Sequence, residues 1–367
     1  MPRLTAVKEQ TTGTENAVEF VLSVPLDLMN TMYFTHLVVA SEGVEGFPVE
    51  VRKHMARDLL AELDFLFSAP IEQPGIAGTL ADHLWSHPET WGSVDDLLNY
   101  VRNLPLGVTD DFGNIGVRSL FFNTFCLDLQ VRFGDISEPT RENLAKMVER
   151  EGGNVDEMLA LWDDPATVRD RLALLISRFY NEHYKAELPN RWPCLERSVA
   201  AHRSTTMDNV VDVMRGVLGR DTICIEAQCA GEYKRLLFAP SVDMGPYASC
   251  AVLPGVHGMF YPCESIFVHG NDDAQANIRM ARIYKALGDE QRLRMLEMLR
   301  EGEMYVQEIV DRTGLHQSVV SRHLSFLKAV GLLDVRKQNN MKFYSLRPGL
   351  QKSLDMFSSP LTEGGLR

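Results

Sequence analysis

The sequence predicts an α+β protein in two parts: a mostly helical N-terminal domain carrying a small antiparallel β meander, and a compact C-terminal unit of short helices closed by a β-hairpin. Three observations lead there. Apolar residues recur at helical spacing over most of the first 218 residues, the period shortens to that of strands between residues 222 and 267, and the last quarter consists of short capped helices followed by two alternating runs. A chain of 367 residues is too long for one ordinary core, since domains commonly hold about 150 residues. Hydrophobic residues make up 45% and charged residues 24% of the chain, which excludes the disordered and fibrous classes.

The elements follow in order. Residues 1–15 form a polar lead-in, and Val18 to Val24 alternates like a strand that Pro25 ends. Helical spacing covers Leu26 to Ala40 and Val49 to Phe67. In the second of these, Val51, Met55, Leu59, Leu60 and Leu63 share one face opposite Arg52, Lys53 and Arg57. Further helices are expected at Ser93 to Val101, Gly116 to Phe133, Thr140 to Glu149, Thr167 to Tyr184 and, beyond Pro189 and Pro193, Leu195 to Leu218. Pro88, Pro105, Pro139 and Pro165 suit helix starts or turns. Strand-like runs are Thr222 to Glu226, Lys234 to Phe238, Ala248 to Leu253 and Gly258 to Tyr261, read as the antiparallel meander. The polar segment Gly270-Asn271-Asp272-Asp273 places a boundary between a domain of residues 1–270, a second of residues 276–348, and a tail, 349–367.

In the second domain Ala276 to Leu287 is amphipathic, Asp289 can cap Glu290 to Arg300, and Glu301-Gly302 stops that helix. Val306 to Arg312 and Gln317 to Val330 flank the turn Thr313-Gly314-Leu315, the pattern of a helix-turn-helix. Val320, Leu324 and Leu327 should face the core, leaving Gln317, Ser318, Ser321, Arg322 and Ser325 outward, able to reach base edges and phosphates in a major groove. His323 lies nearer the apolar side, where it suits a phosphate contact or a structural hydrogen bond equally. Gly331 ends the helix. Leu332 to Arg336 and Met341 to Leu346 then alternate as strands joined by the polar connection Lys337 to Asn340, making a wing with the cations Arg336, Lys337 and Lys342. The expected fold of this unit is a winged helix-turn-helix. Charge agrees: the chain as a whole has 37 Lys and Arg against 50 Asp and Glu, but residues 276–367 hold 15 against 10, a local balance of +5.

Tyr284 to Leu296 (YKALGDEQRLRML) and Gln317 to Leu333 (QSVVSRHLSFLKAVGLL) resemble the ArsR/SmtB family. The resemblance implies a homodimeric winged helix whose recognition helices read a near-palindromic double-stranded DNA operator. Metal-sensing members carry Cys-x-Cys on the helix before the turn, where this chain reads Met304-Tyr305-Val306-Gln307, and Arg347 to Phe357 supplies no His or paired carboxylates. No metal site and no cofactor are therefore expected. Leu161 to Pro165, Arg191-Trp192-Pro193 and Leu236 to Ser241 resemble the long N-terminal region of some regulators, which implies a sensing or dimerising role without naming a chemistry.

Other readings stand beside these. Cys224, Cys229, Cys250, Cys263, His257 and His269 could form a metal or thiol sensor, although Cys224-x4-Cys229 is not a zinc-knuckle spacing and small buried thiols explain the cysteines as well. Together with Cys126 and Cys194 they are too sparse for a disulfide scaffold. Phe121, Phe122, Phe125, Trp162, Phe179 and Tyr180 could line an apolar pocket or simply form core. Without a Gly-rich phosphate loop, a His-Glu-x-x-His or a Gly-x-Ser-x-Gly motif, no enzyme is expected. No run of 18 apolar residues and no apolar signal core occur, so a cytoplasmic protein without membrane contact is expected. The sequence thus points to a transcriptional regulator, a repressor, whose first 270 residues respond to an unknown small-molecule effector, dimerise, or bind another protein.

Overall fold

The computed structural model of the chain describes residues 17–39, 41–44, 46–68, 75–109, 115–122, 138–150, 152–202, 217, 235–253, 255–263, 272–338 and 341–348. Strand β1 (Ala17–Phe20) leads into helix α1 (Val24–Leu37), whose start is set by Ser23, with its side chain accepting from the Leu26 N–H, and by Pro25 in the first turn. Nearly every side chain from Val24 to Thr35 is buried, including Asp27, Asn30, Thr31 and Thr35. Such a helix is central rather than peripheral. The Thr31 and Thr35 hydroxyls donate to carbonyls one turn back, at 2.7 and 2.8 Å, so their burial leaves no unpaired donor.

The stretch expected as one helix from Val49 to Phe67 is two, α2 (Phe47–His54) and α3 (Arg57–Phe67), separated by extended Met55 and Ala56. The break lets Val51, Met55, Leu59 and Leu63 all reach the same core, and brings Arg52 onto Asp64 at 2.6 Å. Packing here overrides a helical pattern that is only a weak local preference. Helices α4 (Ile76–His83) and α5 (Val94–Arg102, capped by Ser93) follow. Of the helix expected from Gly116 to Phe133, the described part is a 3-10 turn, Val117–Phe121, ending in extended Phe122. Its first amides bond back to Pro105 and Gly107 carbonyls and Ser119 to Val108, so the segment is tied to a loop instead of to a helix. Phe125 lies outside the described residues.

Helices α6 (Arg141–Arg150), α7 (Val155–Asp163) and α8 (Pro165–Phe179) carry on, the last two capped by Asn154 and Asp164. A widened π turn, Tyr180–Tyr184, joins α8 to α9 (Lys185–His202). Pro189 and Pro193 were expected to interrupt helical pattern here, yet both lie inside α9. Each removes a backbone donor, and buried contacts made by Tyr184, Arg191, Leu195 and Val199 hold the helix across them.

The sheet corrects the expected meander. Strands β2 (Arg235–Ser241), β3 (Ser249–Leu253) and β4 (Val256–Pro262) combine with β1 in the order β1-β2-β4-β3. The β1–β2 and β2–β4 pairs are parallel, and only the β3–β4 hairpin is antiparallel. The cause is burial on both faces. Leu237 and Ala239 enter the large helical core while Leu236 and Phe238 pack with Val217, Met259 and Tyr261 on the other side, the environment in which parallel strands persist. The strand expected at Thr222 to Glu226 lies outside the described residues.

The C-terminal unit comprises α10 (Asp272–Leu287), α11 (Glu290–Leu299), β5 (Met304–Tyr305), α12 (Val306–Thr313), α13 (Gln317–Ala329), β6 (Leu333–Gln338) and β7 (Met341–Leu346), with strand order β5-β7-β6. It has its own apolar cluster around Met295, Ile309, Val320, Leu324 and Leu327. Among the described residues no helix is long and apolar enough to cross a membrane.

Polar groups knit the large domain at one buried point. Asp27 accepts from Tyr184 Oη at 2.6 Å, Arg191 Nη2 at 2.7 Å and Nε at 3.0 Å, and Ser241 Oγ at 2.7 Å. Arg191 also donates to Thr31 and to Asp243, and its guanidinium lies 4.7 Å over the Tyr184 ring and 5.4 Å over Phe47. One cation between two buried carboxylates leaves an excess of negative charge. Burial, reinforced by Asp27 and opposed by Arg191, pushes the Asp243 carboxyl up to about 6.

Two outcomes follow for stability. Asp27→Asn should cost about 3–5 kcal/mol in urea unfolding, because Arg191 loses its principal counter-charge in a dry site. Asp243 holds its proton more tightly folded than unfolded, so its contribution is full below about pH 4 and is lost as pH rises through 6. Asp243→Asn should remove a fall on the order of 3 kcal/mol from the stability profile across that window, and an unchanged profile would contradict the assignment.

Candidate nucleic-acid interface

The turn between α12 and α13 is built from local chemistry. Glu308 reaches back to the Tyr305 N–H at 2.9 Å to secure the start of α12. Gly314 closes it at φ 68°, a conformation that side-chain-bearing residues rarely adopt, and its N–H bonds the Val310 carbonyl. His316 caps α13, accepting from the Ser318 N–H at 3.4 Å and lying 2.8 Å from the Ser318 hydroxyl.

Helix α13 then divides into three faces. Val320, Leu324 and Leu327 are fully buried in the C-terminal core, as their spacing requires. Gln317, Ser318 and Ser325 are exposed and Ser321 half-buried, forming one outward strip with Lys328. No acidic residue occupies the first turn, so its backbone N–H groups present positive potential. The third face carries Arg322, half-buried, and His323 and Phe326, both buried. His323 is thus turned from the outward strip and cannot meet DNA from its present position.

The wing places Arg336 and Lys342 at exposed positions, and Lys337 pairs with Lys342 in the strand register, which shortens the expected four-residue connection to residues 339–340. The side chain of Lys337 lies outside the description. Arg336 is not an idle cation: it is 2.6 Å from Glu303 and 4.9 Å from the Phe343 ring centroid. That pairing raises the Arg336 guanidinium above its ordinary value and holds the Glu303 carboxyl below its own.

Sequence reasoning missed Glu42, in the loop between α1 and α2. Its carboxylate pairs with Arg292 of α11, whose guanidinium also caps the end of α10 by donating to the Lys285 and Ala286 carbonyls at 2.7 Å. The same carboxylate lies 3.0 Å from His323 Nδ1 and 3.3 Å from Arg322 Nε. Neither of these nitrogens has hydrogen-bonding geometry, so the Arg322 contact is coulombic and the His323 contact one of proximity. No periodicity announces a partner so far away in sequence.

The described cysteines are Cys194, Cys250 and Cys263, none in a disulfide. Burial pushes the Cys263 thiol far up, which keeps it from the thiolate form needed for metal binding or exchange. Cys126, Cys224, Cys229 and His269 lie outside the described residues. Among the described residues no group of three or more His, Cys, Asp or Glu is arranged to hold a metal ion.

Known proteins share the C-terminal unit. The family described as bacterial regulatory protein, arsR family, matches residues 289–335. The HTH-type transcriptional regulator MJ1325 of Methanocaldococcus jannaschii is 40% identical over 67 residues, 18% of this chain and 75% of that protein. The HTH-type transcriptional regulator Rv0324 of Mycobacterium tuberculosis is 33% identical over 79 residues, 21% of this chain, and the match spans 35% of its length. The solved structure of HlyU from Vibrio cholerae N16961 is 32% identical over 25% of this chain and 97% of its own, with a TM-score of 0.21. With the profile match, the MJ1325 relative and the helix-turn-helix and wing geometry in agreement, the chain belongs to the arsR family of bacterial regulatory proteins.

Proposed function

We propose that this chain is a sequence-specific DNA-binding transcriptional regulator, a cytoplasmic repressor that acts as a homodimer. The observation that carries the reading is the outward strip of α13, Gln317, Ser318, Ser321 and Ser325, together with the exposed wing cations Arg336 and Lys342, on a basic unit attached to an acidic body. Side chains of this size and polarity suit base edges in a major groove, and the wing cations, with Lys337, suit phosphates. Dimerisation follows from geometry, since one recognition helix covers a single half-site and specific recognition uses two about one helical turn apart. Residues 1–270 supply the sensing or dimerising function. A small molecule retained by the purified protein in native mass spectrometry would favour the sensing role over a protein-interaction role.

Two measurements test this reading. Operator binding should weaken steeply as salt rises, because phosphate contacts release counterions. Arg322→Ala should cost about 1–3 kcal/mol on operator DNA and much less on random duplex, whereas Lys337→Ala should weaken both alike. Binding that ignores salt would exclude the assignment.

Metal does not enter through the winged helix in this proposal. Met304 and Tyr305 form β5 and Val306 begins α12, so no thiolate stands where soft ions would bind. Zinc, cadmium, nickel and arsenite, each measured against a chelator control, should leave operator affinity unchanged. Release by any of them that persists after serine replacement of all six cysteines would point to an unrecognised ligand set.

A further inference from the structure

The loop between α1 and α2 does more than connect two helices of the large domain. It lies against α13, the helix assigned to DNA. Gly43 adopts φ 80°, and a Cβ there would run into the Phe326 ring, so the loop backbone sits directly on this helix. Only glycine allows both the conformation and the approach. Beside it Glu42 places its carboxylate against Arg292, Arg322 and His323. The Arg322 side chain keeps 38% exposure and Glu42 22%. Their pairing is therefore partly shielded from water without being sealed in the core.

The loop is fastened from behind. Tyr247 Oη donates to the Glu42 carbonyl, and the Gly43 carbonyl lies against Gly245, where a side chain would not fit. Gly245 and Tyr247 belong to the same turn as Asp243, which pairs with Arg191. Phe47, at the other end of the loop, lies 5.4 Å from the Arg191 guanidinium. The contact with α13 thus rests on the most strongly tied part of the large domain.

We propose that the loop at Glu42 and Gly43 forms an intramolecular brake on DNA binding, in which Glu42 holds Arg322 and His323 and must let them go before the helix can engage a duplex. This inference rests on the DNA-binding reading above. Arg322 lies four residues after Ser318 and three before Ser325, at the margin of the outward strip. A guanidinium there cannot serve the Glu42 carboxylate and a DNA phosphate or base at full strength together. The carboxylate also sets a fixed negative charge beside the surface assigned to a polyanion. Anything that displaces the loop strengthens DNA binding, and DNA in turn displaces the loop, because coupling of this kind is reciprocal.

The test uses the full-length chain. Duplexes enriched from a random-sequence library by wild type and by Glu42→Gln are measured by fluorescence anisotropy with wild type, Glu42→Gln, Tyr247→Phe, Arg322→Ala and the double variant Glu42→Gln/Arg322→Ala. Glutamine still accepts from Arg292, and Tyr247 lies on the large domain away from the outward strip, so two independent changes loosen the same loop. Both should tighten binding at least about fivefold, the lower end of ordinary coupling between sites. The gain from Glu42→Gln should vanish when Arg322 is already alanine. Amide exchange across residues 41–47 of wild type should quicken when the enriched duplex is added. Equal or weaker binding by both variants, with wild type still binding, overturns the brake and leaves the DNA-binding reading intact. No binding by any variant overturns that reading and the brake with it.

Discussion

The pairing of Asp27 with Arg191 is the constraint on which the large domain depends. A buried carboxylate is expensive unless its lone pairs are met, and Asp27 meets them with Tyr184, Arg191 and Ser241, drawn from the π turn, from α9 and from the end of β2. The central helix, the helix after the π turn and the sheet are thereby held in one relative placement. Arg191 stands between Pro189 and Pro193, so the segment stays helical across two residues that oppose helix where its guanidinium must reach the hub. A salt bridge of this kind is weak evidence for added stability, but breaking one partner leaves an uncompensated charge, and that penalty enforces the arrangement.

From that hub the structure runs outward to the C-terminal unit along a short path. Asp243 opens the turn that carries Gly245 and Tyr247, and these support Glu42 and Gly43. On the far side of the loop Glu42 meets Arg292, which also ties the end of α10 to α11. The acidic body and the basic unit are joined by charge of opposite sign, in keeping with their compositions. Spatial continuity alone is not regulation, which needs an element that both ends bias; the backbone at Glu42 and Gly43 is where the two units touch.

Much of the C-terminal unit was legible in the sequence. Asp289 as cap, Gly314 in the turn, Val320, Leu324 and Leu327 on the core face, and the alternating runs of the wing all behave as local rules require. Cys263 was likewise readable as a small buried thiol. The large domain was legible in parts: the helix from Ser93 to Val101 was found as α5, whereas α7 was missed and the break at Met55 and Ala56 was not foreseen. His323 remained ambiguous because helical spacing places it between faces, and only a neighbour from another part of the chain decides which face it joins.

By itself the sequence determined the helix-turn-helix, its wing and, Arg322 excepted, the face that points outward, since caps, glycine positions and spacing of i, i+4 and i, i+7 act within a few residues of one another. The tertiary structure alone decided that β1 lies parallel to β2 and β2 parallel to β4, because strand order depends on which apolar faces are covered and by what. It also decided that Glu42 meets Arg292, a pairing across 250 residues, and that Arg322 and His323 are drawn to the same carboxylate. Contacts so distant impose no period on the residues that make them: any acidic residue on a surface loop reads alike until folding brings a cation to it.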